Sequence, residues 1–85
     1  MFDKELFGQR LRALRKQKKI SQTALGELLG VTATQIGDME RGSTTTSMSR
    51  LYQLCIFFAV SSDYLLGLTD NPAPPSNSPL QGPSL

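Results

Sequence analysis

Apolar residues recur at helical spacing over residues 3–67, in short runs that small polar residues interrupt. Phe7, Leu11 and Leu14 fall at i, i+4 and i+7, and with Asp3 as N-cap they predict a first helix over about Lys4–Lys18. Ser21 caps a second over about Gln22–Leu29, whose apolar set is Ala24, Leu25, Leu28 and Leu29 and which stops at Gly30. Thr32-Ala33-Thr34-Gln35 fits a capping box, so a third helix starts after Thr32 and ends at Arg41-Gly42. After the hydroxyl-rich stretch Ser43–Thr46, Ser47 caps a fourth helix over about Met48–Phe58, with Met48, Leu51, Leu54, Cys55 and Phe58 on one stripe. Ser61 caps a short fifth, about Ser62–Leu66, that Gly67 terminates. No segment alternates with β-branched residues, so the expected fold is all-α: a compact bundle of five short helices.

Composition adds a boundary. All five prolines lie in Asp70–Leu85 among Ser, Asn and Gly, a mixture unable to bury enough surface to offset its ordering entropy. The expectation is one domain over residues 1–68 and a disordered tail over 69–85. The whole chain has 85 residues, which leaves no room for a second core. It has no histidine and one cysteine, which removes the commonest general base, a structural zinc site and an internal disulfide. Asp38 and Glu40 are the nearest acid pair, but two residues apart on a helix they do not face each other. Neither an enzyme nor a metal or other cofactor is expected. No apolar run approaches the ~20 residues of a membrane span, and Met1–Glu5 carries acids where a signal peptide needs an apolar core. A cytoplasmic protein is expected.

The net charge of +2 is unevenly placed. Through Lys19, seven cations face two acids; from Ile20 onward, two cations face five acids. A cationic stripe on one element suits a polyanion, although it is equally what a solvated helix face looks like.

Residues 22–41 carry the functional signal. Gly30 supplies the left-handed residue that a tight turn after the second helix needs. Gly26 removes a side chain where the two helices would cross, and Val31, Ile36 and Met39 pin the third helix to the core. Two helices crossing at roughly 90–120° through a short turn form a helix-turn-helix unit. At about 100° per residue, Ile36 and Met39 point one way, while Ala33, Thr34, Gly37, Asp38 and Arg41 fall on the opposite face. In such a unit the second helix enters the major groove. Thr34 and Ala33 can then meet a base or a thymine methyl, and Asp38 can accept from cytosine N4. Gly37, central in that face, costs about 1 kcal/mol of helix stability. Close approach to the groove wall is one account of it, and drift in a weakly constrained segment is the other. Gln22 opens the second helix, where backbone amides favour phosphate. Gln35, Ser43, Thr44 and Ser49 are further phosphate candidates, with Arg10, Lys18 and Lys19 adding less specific attraction; capping and loop solvation are their plain alternatives.

The chain also resembles the XRE or Cro/repressor-type helix-turn-helix regulators of phages and bacteria over about Phe7–Leu68. The carriers are Leu11-Arg12-Ala13-Leu14-Arg15, Ile20-Ser21-Gln22, Leu25-Gly26-Glu27-Leu28-Leu29-Gly30-Val31-Thr32, Ile36-Gly37-Asp38-Met39-Glu40-Arg41-Gly42 and Val60-Ser61-Ser62-Asp63-Tyr64-Leu65-Leu66-Gly67. The resemblance implies a five-helix domain that binds double-stranded operator DNA, commonly as a dimer; a repressor acting on an inverted repeat is expected. It implies base contact by Thr32, Ala33, Thr34 and Asp38, phosphate contact by Gln22, and a partly buried salt bridge between Arg15 and Glu40. The apolar excess of the fourth helix leaves Tyr52, Ile56 and Phe57 over, and exposed apolar residues often mark association. A homodimer through Ile56, Phe57, Tyr64, Leu65 and Leu68 is expected. The rival reading is an antitoxin-like module that keeps the fold and binds a protein partner.

Overall fold

Every helix begins at the capping residue the sequence proposes. A computed structural model describes residues 1–74, and the helices are α1 (Lys4–Gln17), α2 (Gln22–Leu29), α3 (Ala33–Glu40), α4 (Met48–Phe58) and α5 (Ser62–Leu66), with no strand among the described residues. Asp3 accepts from the backbone of Glu5 and Leu6, Ser21 from Ala24, Thr32 from Gln35, Ser47 from Arg50 and Ser61 from Tyr64. Each cap satisfies an N–H that the first helical turn leaves without a partner, worth about 1 kcal/mol. Two of the stops use residues with no glycine signature: Lys19 after α1 and Ala59 after α4 are left-handed, at φ 58° and 55°.

The core takes a side chain from every helix. Phe7 is 2% exposed, and Leu11, Leu25, Ile36, Leu54 and Leu65 are at 0%. Leu65 is therefore interior, and the expectation that it lines a dimer surface is corrected: on a helix of five residues only one position faces fully inward, and Leu65 holds it. Met48 and Leu28 are corrected in the other direction, at 85% and 44% exposed instead of within their helices' apolar stripes. Met48 is the first residue of α4, beyond the reach of the core beneath Leu54.

Two glycines are required by close approach. A β-carbon at Gly8 would lie 2.3 Å from the Met39 carbonyl oxygen and 2.6 Å from that of Glu40, so α1 rests directly on the end of α3. One at Gly26 would lie 2.5 Å from the Val31 carbonyl, which fixes the crossing of α2 with the turn into α3.

The chain after α5 departs from expectation. Residues 69–73, read as the start of a disordered tail, form a strap held by α1 and α5; residues 75–85 of that expected tail lie outside the described residues. Arg10 Nη1 donates to the carbonyl oxygens of Tyr64 at 2.5 Å and Thr69 at 2.7 Å, and Nη2 pairs with Asp70 at 2.7 Å. The same guanidinium sits 4.2 Å from the centroid of the Tyr64 ring, and the Ser61 amide donates to the Pro72 carbonyl at 3.1 Å. Arg10, with 13% of its side chain exposed, is a structural clamp and is withdrawn from the cations expected to attract DNA. Because hydrogen bonds to charged groups contribute roughly 1.5–3 kcal/mol, Arg10→Ala is expected to lower the unfolding free energy by about 2 kcal/mol in urea denaturation. An unchanged midpoint would show that the clamp contributes nothing.

Candidate nucleic-acid interface

The position of α3 is set from below by apolar packing and from its C-terminal end by charge. Ile36 and Met39 are 0% and 3% exposed against the core, and Glu40 is the buried acid of the helix. The Glu40 carboxylate accepts from Arg15 Nε at 2.5 Å and Nη2 at 3.1 Å, and from Gln22 Nε2 at 3.1 Å. The side chains of Arg15 and Glu40 are 12% and 4% exposed, so this two-pronged pair is largely shielded from water. Its hydrogen bond to Glu40 raises the Arg15 pKa above its usual value, against an opposing cost of burial. Arg15 also donates to the Ile20 carbonyl at 2.9 Å, tying in the α1–α2 turn. Arg15 thus locks α1 to α3 and leaves the set of cations available to a polyanion.

At its N-terminal end α3 is held by the reciprocal cap. Thr32 Oγ1 accepts from the Gln35 amide at 3.0 Å, and Gln35 Oε1 accepts from the Thr32 amide at 2.8 Å. Both acceptor atoms are committed, while the Thr32 hydroxyl hydrogen and the Gln35 side-chain NH2 still face outward from exposed residues. Thr34 is exposed, and Ala33 and Asp38 are half-buried. Gln35 and Asp38 border a groove lined also by Val31, Met39, the 44–47 loop and Arg50. Ser43, Thr44 and Ser49 are exposed, and Thr44 lines that groove.

Two residues stand elsewhere than the sequence suggests, and a third keeps its outward face but turns its charge back along the helix. Gln22, expected to reach a phosphate, turns its amide inward to Glu40. Gly37, expected at the open centre of the reading face, is buried: a β-carbon there would lie 3.1 Å from Arg41 Nη1 and 3.4 Å from Gln22 Nε2, so those two side chains roof it. Arg41, at the C-cap of α3, folds back over Gly37 and forms an ion pair with Asp38. A fourth contact had no sequence signal: Arg50 Nε donates to the Leu29 carbonyl at 3.0 Å, clipping the first turn of α4 to the end of α2. Lys18, another expected contributor, lies 4.7 Å from the centroid of the Phe57 ring.

Of the residues expected at a dimer contact, Ile56 and Leu68 are exposed, at 41% and 73%. Phe57 and Tyr64 are half-buried, packed on the core and capped by Lys18 and Arg10. Met48 and Tyr52 extend the exposed apolar set along α4. Cys55 is half-buried, and its burial pushes the thiol pKa up, which suits a packing residue. Among the described residues no group of His, Cys, Asp and Glu is arranged to hold a metal ion, and no helix is long and apolar enough to cross a membrane.

Two short helices crossing at Gly26, the second buried on one side and polar on the other, define a helix-turn-helix domain. A family model described as helix-turn-helix matches residues 11–65, and the chain belongs to that family, in its XRE type. Among curated relatives, repressor protein C2 of Salmonella phage P22 is 42% identical over 62 residues, 73% of this chain and 29% of the relative. An uncharacterized HTH-type transcriptional regulator of Bacillus subtilis, YobD, is 39% identical over 69 residues, 81% of this chain and 62% of the relative. The chain thus spans less than two thirds of these relatives' length. The crystal structure of the P22 c2 repressor in complex with a synthetic operator superposes with a TM-score of 0.67 at 43% identity, covering 72% of this chain and 92% of that one. The restriction-modification controller protein C.AhdI of Aeromonas hydrophila gives 0.65 at 35% identity, covering 74% and 91%.

The ion pair supplies a stability test. Arg15→Ala leaves Glu40 buried without its cation, and is expected to cost about 3–5 kcal/mol. Calorimetry of wild type and variant measures it; equal melting temperatures would show that Glu40 needs no partner.

Proposed function

We propose that this chain is a sequence-specific double-stranded DNA-binding transcriptional regulator, a repressor that acts in the cytoplasm as a homodimer, with α3 in the major groove of an inverted-repeat operator. The observation that carries the reading is the outward side of α3: Thr34 is exposed and Asp38 half-buried on a helix whose opposite side is anchored by Ile36, Met39 and the Arg15–Glu40 pair, with Thr32 exposed at its cap and Ala33 half-buried at its start. A rigid helix with polar atoms facing outward suits base reading, because base edges discriminate only donors held in register. The similarity to a repressor solved on its operator supports the same reading.

Gln35, Ser43, Thr44 and Ser49 would hold phosphates beside those residues, through amide and hydroxyl donors. Gln22 joins them only by exchanging its bond to Glu40 for one to a phosphate. Nothing in the reading calls for catalysis or a cofactor. The dimer would use Ile56 and Leu68, with Phe57 and Tyr64 behind them, and would place two α3 helices on half-sites about one turn apart.

An antitoxin-like protein-binding role is the second reading, favoured by the exposed apolar side chains Met48, Tyr52 and Ile56 on α4. Salt separates the two. For DNA, log affinity falls against log salt by about 0.9 per phosphate neutralised. Selection from random duplex DNA is expected to enrich an inverted repeat, with binding that weakens steeply between low and physiological salt. No enrichment at low salt would remove the DNA reading and leave the partner-binding one. Sedimentation up to high micromolar concentration is expected to show dimer, reduced by Ile56→Lys; a concentration-independent monomer would remove the two-fold arrangement.

A further inference from the structure

We propose that Arg41 is the base-reading cation of this domain, that it takes guanine, and that Asp38 acts as its positioning residue and does not itself read cytosine. The inference rests on the DNA-binding reading above and deepens it.

By sequence, Arg41 falls on the outward face of α3 with Thr34, Gly37 and Asp38, and the structure makes it the C-cap of that helix. The structure moves its charge. Helical side chains lean toward the N-terminus of their helix, and Arg41 does so across Gly37, with Nη1 where a β-carbon at 37 would be 3.1 Å away. Nη2 is paired with the Asp38 carboxylate. The guanidinium therefore lies over the middle of α3, beside Asp38, on the face that also carries Thr34. It is 64% exposed and Asp38 35%, so the pair is presented to solvent with the carboxylate as the more sheltered member. Gly37 has a role in this: a β-carbon there would stand 3.1 Å from Nη1, so glycine lets the guanidinium settle closer to the helix than alanine would.

The chemistry of the pair selects its ligand. A guanidinium has five N–H donors, and a single carboxylate oxygen occupies only part of them. The remaining donors keep the planar fork that matches guanine O6 and N7. A phosphate is a poor partner for the same group, since Asp38 already balances the charge and its carboxylate would repel a second anion. Guanine offers neutral acceptors and suffers no such repulsion. A carboxylate that fixes the fork also removes rotamer freedom that a bare arginine would lose on binding.

The test uses the full chain, its selected duplex, and the same duplex with each G·C pair replaced in turn. In wild type, one G·C pair per half-site is expected to matter by about tenfold or more, the scale of one bidentate base contact. Arg41→Ala should become indifferent to that pair while keeping the wild-type salt slope. Arg41→Lys keeps the charge but loses the fork, and should lose the guanine preference too. Asp38→Asn should show an opposite pair of changes: a weaker guanine preference, yet tighter binding to random-sequence duplex with a steeper slope, because the released guanidinium finds phosphate. If Arg41→Ala instead weakens every duplex alike and the slope falls by about 0.9, Arg41 is a phosphate contact and the inference is wrong. Retained guanine preference in Asp38→Asn removes the positioning role and overturns it as well. A wild-type chain that enriches no duplex removes the DNA-binding reading itself, a failure distinct from these two. Because the pair is exposed, all three variants should melt close to wild type, which separates loss of reading from loss of fold.

Discussion

The Glu40 carboxylate, with 4% of its side chain exposed, gathers Arg15 from α1 and Gln22 from α2 at the end of α3. A charge so far from water is tolerable only when its oxygens are matched by donors in good geometry, and here three N–H groups converge on them. The consequence is mechanical. α3 has only eight residues, too few to be a stable helix by itself. Apolar contacts through Ile36 and Met39 hold its flank, but such contacts are non-directional and would let it roll. The ion pair adds direction, and the Gly8 contact adds a hard stop where α1 touches the Met39 and Glu40 carbonyls. Roll and tilt fixed together give the outward residues a defined register.

How much of this is legible in the sequence follows from range. Caps and turns depend on residues three or four apart, so Asp3, Ser21, Thr32, Ser47 and Ser61 are readable in place, as is Gly30. The stops at Lys19 and Ala59 are not, because a left-handed non-glycine residue is imposed by packing rather than by its own preference. Apolar periodicity finds Leu11, Leu25, Ile36 and Leu54, all at 0% exposure. It misjudges the helix ends, where Met48 sits outside and Leu65 inside, since a helix of five residues has too little sequence to establish a face. The greatest misses are long polar side chains. Arg10 reaches partners 54 to 60 residues away, and nothing near it in sequence announces them. The Gln22 amide likewise settles on Glu40, a neighbour chosen by the tertiary fold, whereas Arg41 pairs with Asp38 three residues back along its own helix.

These misses all bear on charge. Seven cations before Ile20 suggest a basic surface, yet Arg10 and Arg15 are internal ties and Lys18 lies against Phe57. What stands beside α3 is a display of hydroxyls and amides together with one balanced ion pair. The exposed cations Lys4, Arg12, Lys16 and Lys19 belong to α1 and the turn after it, so α3 itself adds little net charge and offers mainly short-range hydrogen bonds.

Weak long-range attraction has a use in a reading device. Non-specific affinity for duplex DNA arises almost wholly from phosphate neutralisation, whereas discrimination arises at base edges. A strongly cationic α3 would raise both, and competing genomic sites would capture most of the protein. A face whose cation is already held by a carboxylate contributes little to the first term and keeps its donors for the second. Under the proposed function the cost would be low affinity per domain, which two domains paired on one operator would recover through effective concentration. In the proposed dimer, the exposed apolar residues Ile56 and Leu68 would complement the proposed reading helix, association supplying affinity that a balanced ion pair does not.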